Sequence, residues 1–377
     1  MKESSGSQSE KTGGSAAKKG LRGFVTALLI VAFIAGCGFA YWKITTKPPE
    51  GQTDISPDAN DDAPTYKLER YYTILVVGDD QKGGNTDTIM LVRYDTQEMK
   101  VNVLSIPRDT LVNSPLANKK INAVYHNLGG MDALMEEVSE LTGYRPNNYM
   151  LVDTEVFTKV VDAMGGVDFY VPFDMDYDDY HDENNDGVID YVFTIHVEEG
   201  QQTLSGYDAL GVFRWRQNNN GAGHVYMNPD IERIDMQHDL LMAIAEKAMN
   251  TKNVLTLMNI AKAVIDQCET DLSLGNIQWY FEEFLKMSMD NIDFFTMPTN
   301  GAWIYKTAYV TIEVDPWLQM LNESFNVLDR GLTREDVGIL YVGRQIDLKN
   351  GQLYVEPDDL ACTNGTEIDK NFLKNSN

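Results

Sequence analysis

The sequence predicts a mixed α/β fold, an α+β-like sandwich in which helices flank one mixed sheet, carried behind an N-terminal transmembrane helix. Three observations predict it. Short apolar, β-rich runs are bounded by turn residues; other segments repeat apolar residues at 3,4 spacing; and one long uncharged apolar run lies near the N-terminus. With 377 residues, 43% of them hydrophobic, the chain can bury a sizeable core.

In chain order, residues 1–23 are Ser-, Gly- and Lys-rich and read as a disordered cytoplasmic tail. Phe24 to Trp42 follows, 19 residues without a charge. As a helix it extends about 28 Å, close to the hydrocarbon thickness of a bilayer. Lys2, Lys11, Lys18, Lys19 and Arg22 precede it, and Tyr41 and Trp42 close it like interfacial anchors. The bias of positive charge places the N-terminus in the cytoplasm and the rest outside the cell, anchored to the cell membrane by a single pass. A cleaved signal peptide fits less well, since no Ala-x-Ala site precedes Lys43. Ile34-Ala35-Gly36-Cys37 is similar to a lipoprotein cleavage box, but the apolar run continues past Cys37. Residues 43–67, rich in Pro, Asp and Thr, read as an extracytoplasmic linker, 68–363 as the folded domain and 364–377 as a polar, frayed tail.

Within the domain, Tyr72–Val77 is a continuous apolar run, as in a strand buried on both faces. Thr88–Tyr94 and Val101–Ile106, separated by a polar turn, read as a hairpin. Met131–Leu141 has the spacing of an amphipathic helix. Val156–Met164 reads as a second helix, closed by Gly165-Gly166, and Val167–Val171 as a strand. Ile231–Met249, Val254–Val264 and Ile277–Met287 read as further helices. Three cysteines are too few for a disulfide framework; Cys268 and Cys362 both fall outside the membrane, where pairing is chemically open to them.

The formal net charge of −26 argues against nucleic acid as a partner, because phosphate neutralisation needs clustered Lys and Arg. Against that acidic background, four clusters at strand or helix ends stand out. Gly78-Asp79-Asp80-Gln81-Lys82, followed by Asn85-Thr86-Asp87-Thr88, offers carboxylates suited to a hard divalent cation; alone it reads equally as an acidic surface turn. In Ser105-Ile106-Pro107-Arg108-Asp109-Thr110 the proline ends the ladder and Arg108 and Asp109 project from its tip. Lys119-Lys120 in isolation reads as a solvated pair. Arg214 and Arg216 share one face of an extended segment, and Asp230, Arg233 and Gln237 share one face of a helix. Arginines converging in so acidic a chain call either for an anionic partner, whose phosphate oxygens planar guanidinium forks match, or equally for internal ion pairing.

Together these motifs resemble the LytR-CpsA-Psr family of cell-wall glycopolymer transferases. The resemblance rests on SIPRDT at 105–110, KINAVY at 120–125, VDAMGGV at 161–167 and the Leu204-to-Gln237 arginine pattern, in that order. It implies a Mg²⁺-assisted phosphotransferase that moves a glycan (teichoic acid or capsule type) from a polyprenyl-pyrophosphate carrier onto peptidoglycan. By resemblance, Asp87 is the principal Mg²⁺ ligand, supported by Asp80. Arg108, Arg214, Arg216 and Arg233 clamp the pyrophosphate. Gln237 holds a phosphate oxygen, Asp230 orients an arginine, Lys120 and Lys82 line the rim, and Asp109 acts as base or arginine orienter. The chain departs from the pattern at Asn85, Lys82 and Met236, each replacing an arginine. A second expectation therefore stands beside the first: a surface polyprenyl-phosphate binder or regulator that does not ligate.

Asp182-x-Asn184-x-Asp186-Gly187 follows the spacing of a Ca²⁺ loop, with Asp190 or Asp178 in place of the missing acidic twelfth ligand. The same residues read equally as an acidic hairpin.

Overall fold

A computed structural model describes residues 46–50, 70–79, 86–181, 189, 191–219, 223–224, 229–251, 260, 268–304, 307–343 and 353–372. The apolar run 24–42, the 254–264 helix apart from Ile260, Asp80, Lys82 and the Ca²⁺-type triplet Asp182, Asn184 and Asp186 lie outside the described residues. Among those that are described, no helix is long and apolar enough to cross a membrane.

The central element is a sheet built from β1 (Tyr71–Asp79), β2 (Thr86–Asp95) and β3 (Lys100–Ile106), an antiparallel meander. After β3 the chain forms helix α1 (Gly130–Thr142), then β4 (Asn148–Asp153), which pairs parallel to β1. Alternation within β1 explains why helices cover both faces. Leu75 and Val77 turn into the main core with the Met131, Leu134, Met135, Val138 and Leu141 stripe of α1, while Tyr72 turns the other way.

Helix α2 (Thr154–Ala163) starts at the Asp153 N-cap, whose carboxylate accepts from the Val156 N–H at 2.7 Å. Next come β5 (Val167–Val171), β6 (Met175–His181), β7 (Tyr191–Val197) and β8 (Gly200–Leu204), then α3 (Gly206–Arg214) and α4 (Pro229–Asn250). They pack into a second core around Phe169, Ile195, Trp215 and Leu240.

Strand β9 (Glu269–Thr270) pairs with β4, and α5 (Leu274–Phe284) lays Trp279 against Tyr72 on the face of the sheet opposite α1. Strand β10 (Ile292–Thr296) joins β3 in parallel, giving the order β10-β3-β2-β1-β4-β9. Then β11 (Thr299–Ile304) and β12 (Thr307–Ile312) form a hairpin, and α6 (Val314–Met320) docks on α1 through the Trp317 indole N–H, 2.8 Å from the Leu141 carbonyl oxygen. Short strands β13 (Leu340–Val342), β14 (Leu353–Val355) and β15 (Leu360–Cys362) finish the fold, β14 beside β11 and β15 beside β13.

The expected mixed α/β architecture is present, with one correction. The strands do not all join one sheet: among the described residues, one three-stranded and three two-stranded sheets stand alongside the six-stranded sheet. The strands flanking residues 182–188 pair as the β6–β7 hairpin, and Met175, Phe193, Ile195 and Val197 turn into the second core. The C-terminal tail is also better held than its composition suggests. Phe372 is buried against Tyr309, and Lys119, fully buried, reaches Asp369 at 3.2 Å. Lys119 is thus a brace for the tail, not half of a solvated pair. Cys268 and Cys362 are free thiols.

Candidate active site

Strands β1, β3, β4 and β10 all point the same way, so their C-terminal ends and the start of β2 share one edge of the sheet. Ligand sites of α/β sheets gather at such edges, where strands stop and backbone polar groups become available. Asp79 ends β1, paired in register with Thr86 of β2 on one side and Asp153 of β4 on the other. The β1–β2 register slips between Gly78 and Asp79. This irregularity re-aims side chains at the strand tips. Gly78 suits the place, because an added Cβ would sit 3.1 Å from Thr88 Cβ.

Beyond β3, Pro107 ends the ladder, and the next residues form a chain of alternating charges. Arg108 Nη1 lies 2.8 Å from Asp87 Oδ1, and Arg108 Nε 3.8 Å from Asp109 Oδ1. Lys120 Nζ lies 2.9 Å from Asp109 Oδ2. The loop bearing these groups is fixed by its backbone: the Asn122 N–H donates to the Arg108 carbonyl oxygen at 3.2 Å, and Ile121 N–H to Thr110 at 3.0 Å. Four of the expected site residues, Asp87, Arg108, Asp109 and Lys120, therefore do meet, although they come from three separate stretches of sequence.

Helix α4, which carries Arg233, links this region to the segment bearing Arg214. Ser105 Oγ on β3 is 2.8 Å from His238 Nε2 on α4. One residue earlier on that helix, the Gln237 amide N–H donates to the Phe213 carbonyl oxygen at 3.0 Å, beside Arg214. Helix α4 thus ties the strand before Arg108 to the segment bearing Arg214. Arg233, buried at 8% exposure, lies just over a turn earlier on the same helix. Burial holds the His238 imidazole below its ordinary range, with Asp235 opposing.

Several expectations are corrected by this geometry. Arg214 and Arg216 do not share an extended segment: Arg214 is the last residue of α3, its guanidinium 5.0 Å from the Phe193 ring, and buried Trp215 separates it from exposed Arg216. Gln237 braces the arginine segment through backbone contact. Asp230 is the second residue of α4, its side chain outside the described set. Met236, standing where the family pattern has arginine, packs against the second core.

The sequence reading placed Asp79 in the carboxylate loop but gave it no role of its own, although its buried carboxylate meets His126 Nε2 at 3.1 Å; it missed the Ser105–His238 pair. The available signal for Asp79 was its position at the end of the apolar run, directly after Gly78. His238 gave no signal, because nothing in spacing links it to Ser105.

Magnesium needs only one or two protein carboxylates plus substrate phosphate oxygens and water. Asp79 and Asp87, on neighbouring strand tips, supply that chemistry, and the buried Thr86 Oγ between them has no hydrogen-bond partner. The residues fit the ion. Among the described residues, no group of three His, Cys, Asp or Glu side chains forms a ready-made cage.

Fold and site together define the class: a mixed α/β domain with carboxylates and cations interleaved at a strand-end edge, and arginine-bearing helices alongside. The chain belongs to the LytR_cpsA_psr family, whose profile matches residues 39–326. It is 26% identical over 297 residues to the polyisoprenyl-teichoic acid–peptidoglycan teichoic acid transferase TagV of Bacillus subtilis, covering 75% of this chain and 70% of that protein. It is 24% identical over 301 residues to TagU of Oceanobacillus iheyensis, named for the same transfer, covering 75% of this chain and 87% of that one. The crystal structure of B. subtilis TagV superposes with a TM-score of 0.54 at 23% identity, over 68% of this chain and 97% of that one. A TagT structure described as bound to LI-WTA superposes with a TM-score of 0.52 at 19% identity, over 73% and 94%.

Proposed function

We propose that this protein is a membrane-anchored, extracytoplasmic phosphotransferase that moves a polyprenyl-pyrophosphate-linked glycopolymer onto peptidoglycan. The observation that carries the reading is the Asp87–Arg108–Asp109–Lys120 charge chain at the strand-end edge. Relatives named as teichoic acid transferases support the reaction class, and the anchor rests on the uncharged 24–42 run.

These cations are paired with carboxylates that an incoming diphosphate can replace. Partly exposed ion pairs are worth about 1 kcal/mol or less. Charge-assisted contacts of a guanidinium fork to phosphate oxygens are stronger, so the exchange favours the ligand. Arg108, Arg214, Arg216 and Arg233 neutralise charge that grows on the leaving phosphate, with Lys120 at the rim. Asp79 and Asp87, with Asp80, would hold Mg²⁺, which would neutralise phosphate charge. An acceptor hydroxyl oxygen attacks the sugar-side phosphorus and forms the new P–O bond. The bond from that phosphorus to the bridging oxygen breaks, and polyprenyl phosphate departs with the electron pair. Asp109 takes the hydroxyl proton. A structural Ca²⁺ on Asp182, Asn184 and Asp186 rests on their spacing alone, and the same stretch serves equally as an acidic hairpin.

A second reading, a polyprenyl-phosphate binder without ligase activity, is favoured by Met236, which spends an arginine position on core packing. One assay separates them. The full-length chain in detergent, given lipid-linked donor, peptidoglycan and Mg²⁺, is expected to yield ligated glycan. Arg233→Ala is expected to lose roughly two orders of magnitude in turnover while keeping its Tm. Donor binding without turnover in the wild type supports the second reading, and unchanged turnover in the variant refutes the clamp.

A further inference from the structure

The charge chain has a second neighbour. Asp109 also lines a cleft of about 850 Å³ bounded by β11, β12, α6 and the Tyr341 segment. This is within the size range of small-ligand sites, roughly 300–1,000 Å³. The loop and the cleft are joined rigidly: the Leu111 N–H donates to the Val310 carbonyl oxygen at 2.8 Å, and the Val310 N–H to that of Asp109 at 2.9 Å.

The β11–β12 register sorts the two faces of this hairpin. Ala302, Ile304 and Tyr309 turn into the third core. Trp303 and Gly301 turn the other way, opposite Ala308 and Val310. Gly301 and Ala308 make a low floor, and a Cβ built on Gly301 meets nothing within 4 Å. Trp303 stands beside that floor, half-buried. Its register partner on β14 is Tyr354, whose ring lies 6.3 Å away and nearly parallel, at 24°. Tyr354 stacks on Trp303 and braces it, and Trp303 supplies the aromatic surface that lines the cleft. The rim is polar: Asn300, Asp109 and the exposed Arg334–Asp315 pair at 2.6 Å.

Resting on the transferase reading above, we propose that this cleft binds a saccharide chain of the acceptor and delivers its hydroxyl to Asp109. A pyranose has a flat C–H face and a rim of hydroxyls. The Trp303 ring matches the first, and carboxylates and amides match the second. A polyprenyl tail would require an enclosed apolar wall, and four charged or amide side chains on the rim oppose it.

The test uses the full-length chain in detergent, titrated with a peptide-free β-1,4-linked N-acetylglucosamine oligomer and followed by calorimetry. Trp303→Ala removes the aromatic surface. Gly301→Leu fills the floor at a position with open space, so it folds even where the first variant does not. Saturable binding is expected in the wild type, weakened about tenfold in each variant, with binding of the polyprenyl-pyrophosphate donor unchanged. Donor binding without oligosaccharide binding overturns the cleft assignment and leaves the transferase reading standing. So does oligosaccharide binding indifferent to both substitutions, or binding only of a stem peptide. Oligosaccharide binding lost in both variants, from a protein that never binds donor, supports the cleft and removes the transferase reading.

Discussion

Asp87, Arg108, Asp109 and Lys120 hold two negative and two positive charges in contact, with side chains only 19–32% exposed. Both cations have a partner at rest, so these four groups sum to zero formal charge until a ligand divides the pairs. Arg108→Lys keeps the charge but loses the fork; a loss of at least about tenfold in kcat/KM for the lipid donor is expected, against an unchanged Tm. Asp87→Asn is expected to raise the Mg²⁺ concentration needed for half-maximal turnover, and an unshifted Mg²⁺ titration would remove Asp87 from the metal site. His238 gives a pH signature. Its pKa is lowered in the fold from about 6.5, first by burial. The unfolded chain therefore takes up this proton at higher pH than the folded one. The stability it contributes is complete above pH 6.5 and is lost as pH falls towards the folded value. His238→Asn should flatten the urea midpoint between pH 7 and pH 5, and an identical slope would contradict the assignment.

At the scale of elements, the site depends on how closely α3 and α2 approach. A Cβ on Gly206, at the first turn of α3, would collide with the Thr158 carbonyl oxygen of α2. Backbone cannot yield as a side-chain tip can, so Gly206→Ala should cost about 2 kcal/mol or more and displace Arg214 with its helix; Tm and turnover should fall together. The helices of this region were legible in the sequence because their apolar spacing is regular: α1, α2, α4 and α5 all lie within a few residues of their expected bounds. Helix α3 was not, since its buried residues Ala209, Leu210, Gly211 and Val212 run consecutively and resemble a strand. The charge chain was half legible. Motif spacing named its members, but which cation meets which carboxylate depends on the β1–β2 slip and the turn after Pro107, and neither is written in local pattern.

For the whole molecule, the family match ends at residue 326, yet the packed chain runs on to Phe372. Val327, Leu328, Leu332, Val337 and Ile339 belong to the main core itself, so this segment is part of the domain and not an appendage. Phe372, 4% exposed, seals the third core beside the loop that bears Lys120. Phe372→Ala should destabilise the protein by about 3 kcal/mol, read as a lower Tm. Its burial was hidden from the sequence because a single aromatic in a polar tail carries no period. The most direct measurement of the central claim is a crystal structure of the full-length chain with a polyprenyl diphosphate and Mg²⁺. The account predicts the diphosphate on the Arg108 guanidinium, with the Asp87 pair parted and the metal ion on the Asp87 carboxylate. A diphosphate bound elsewhere, with the four-member charge chain still closed, would contradict it.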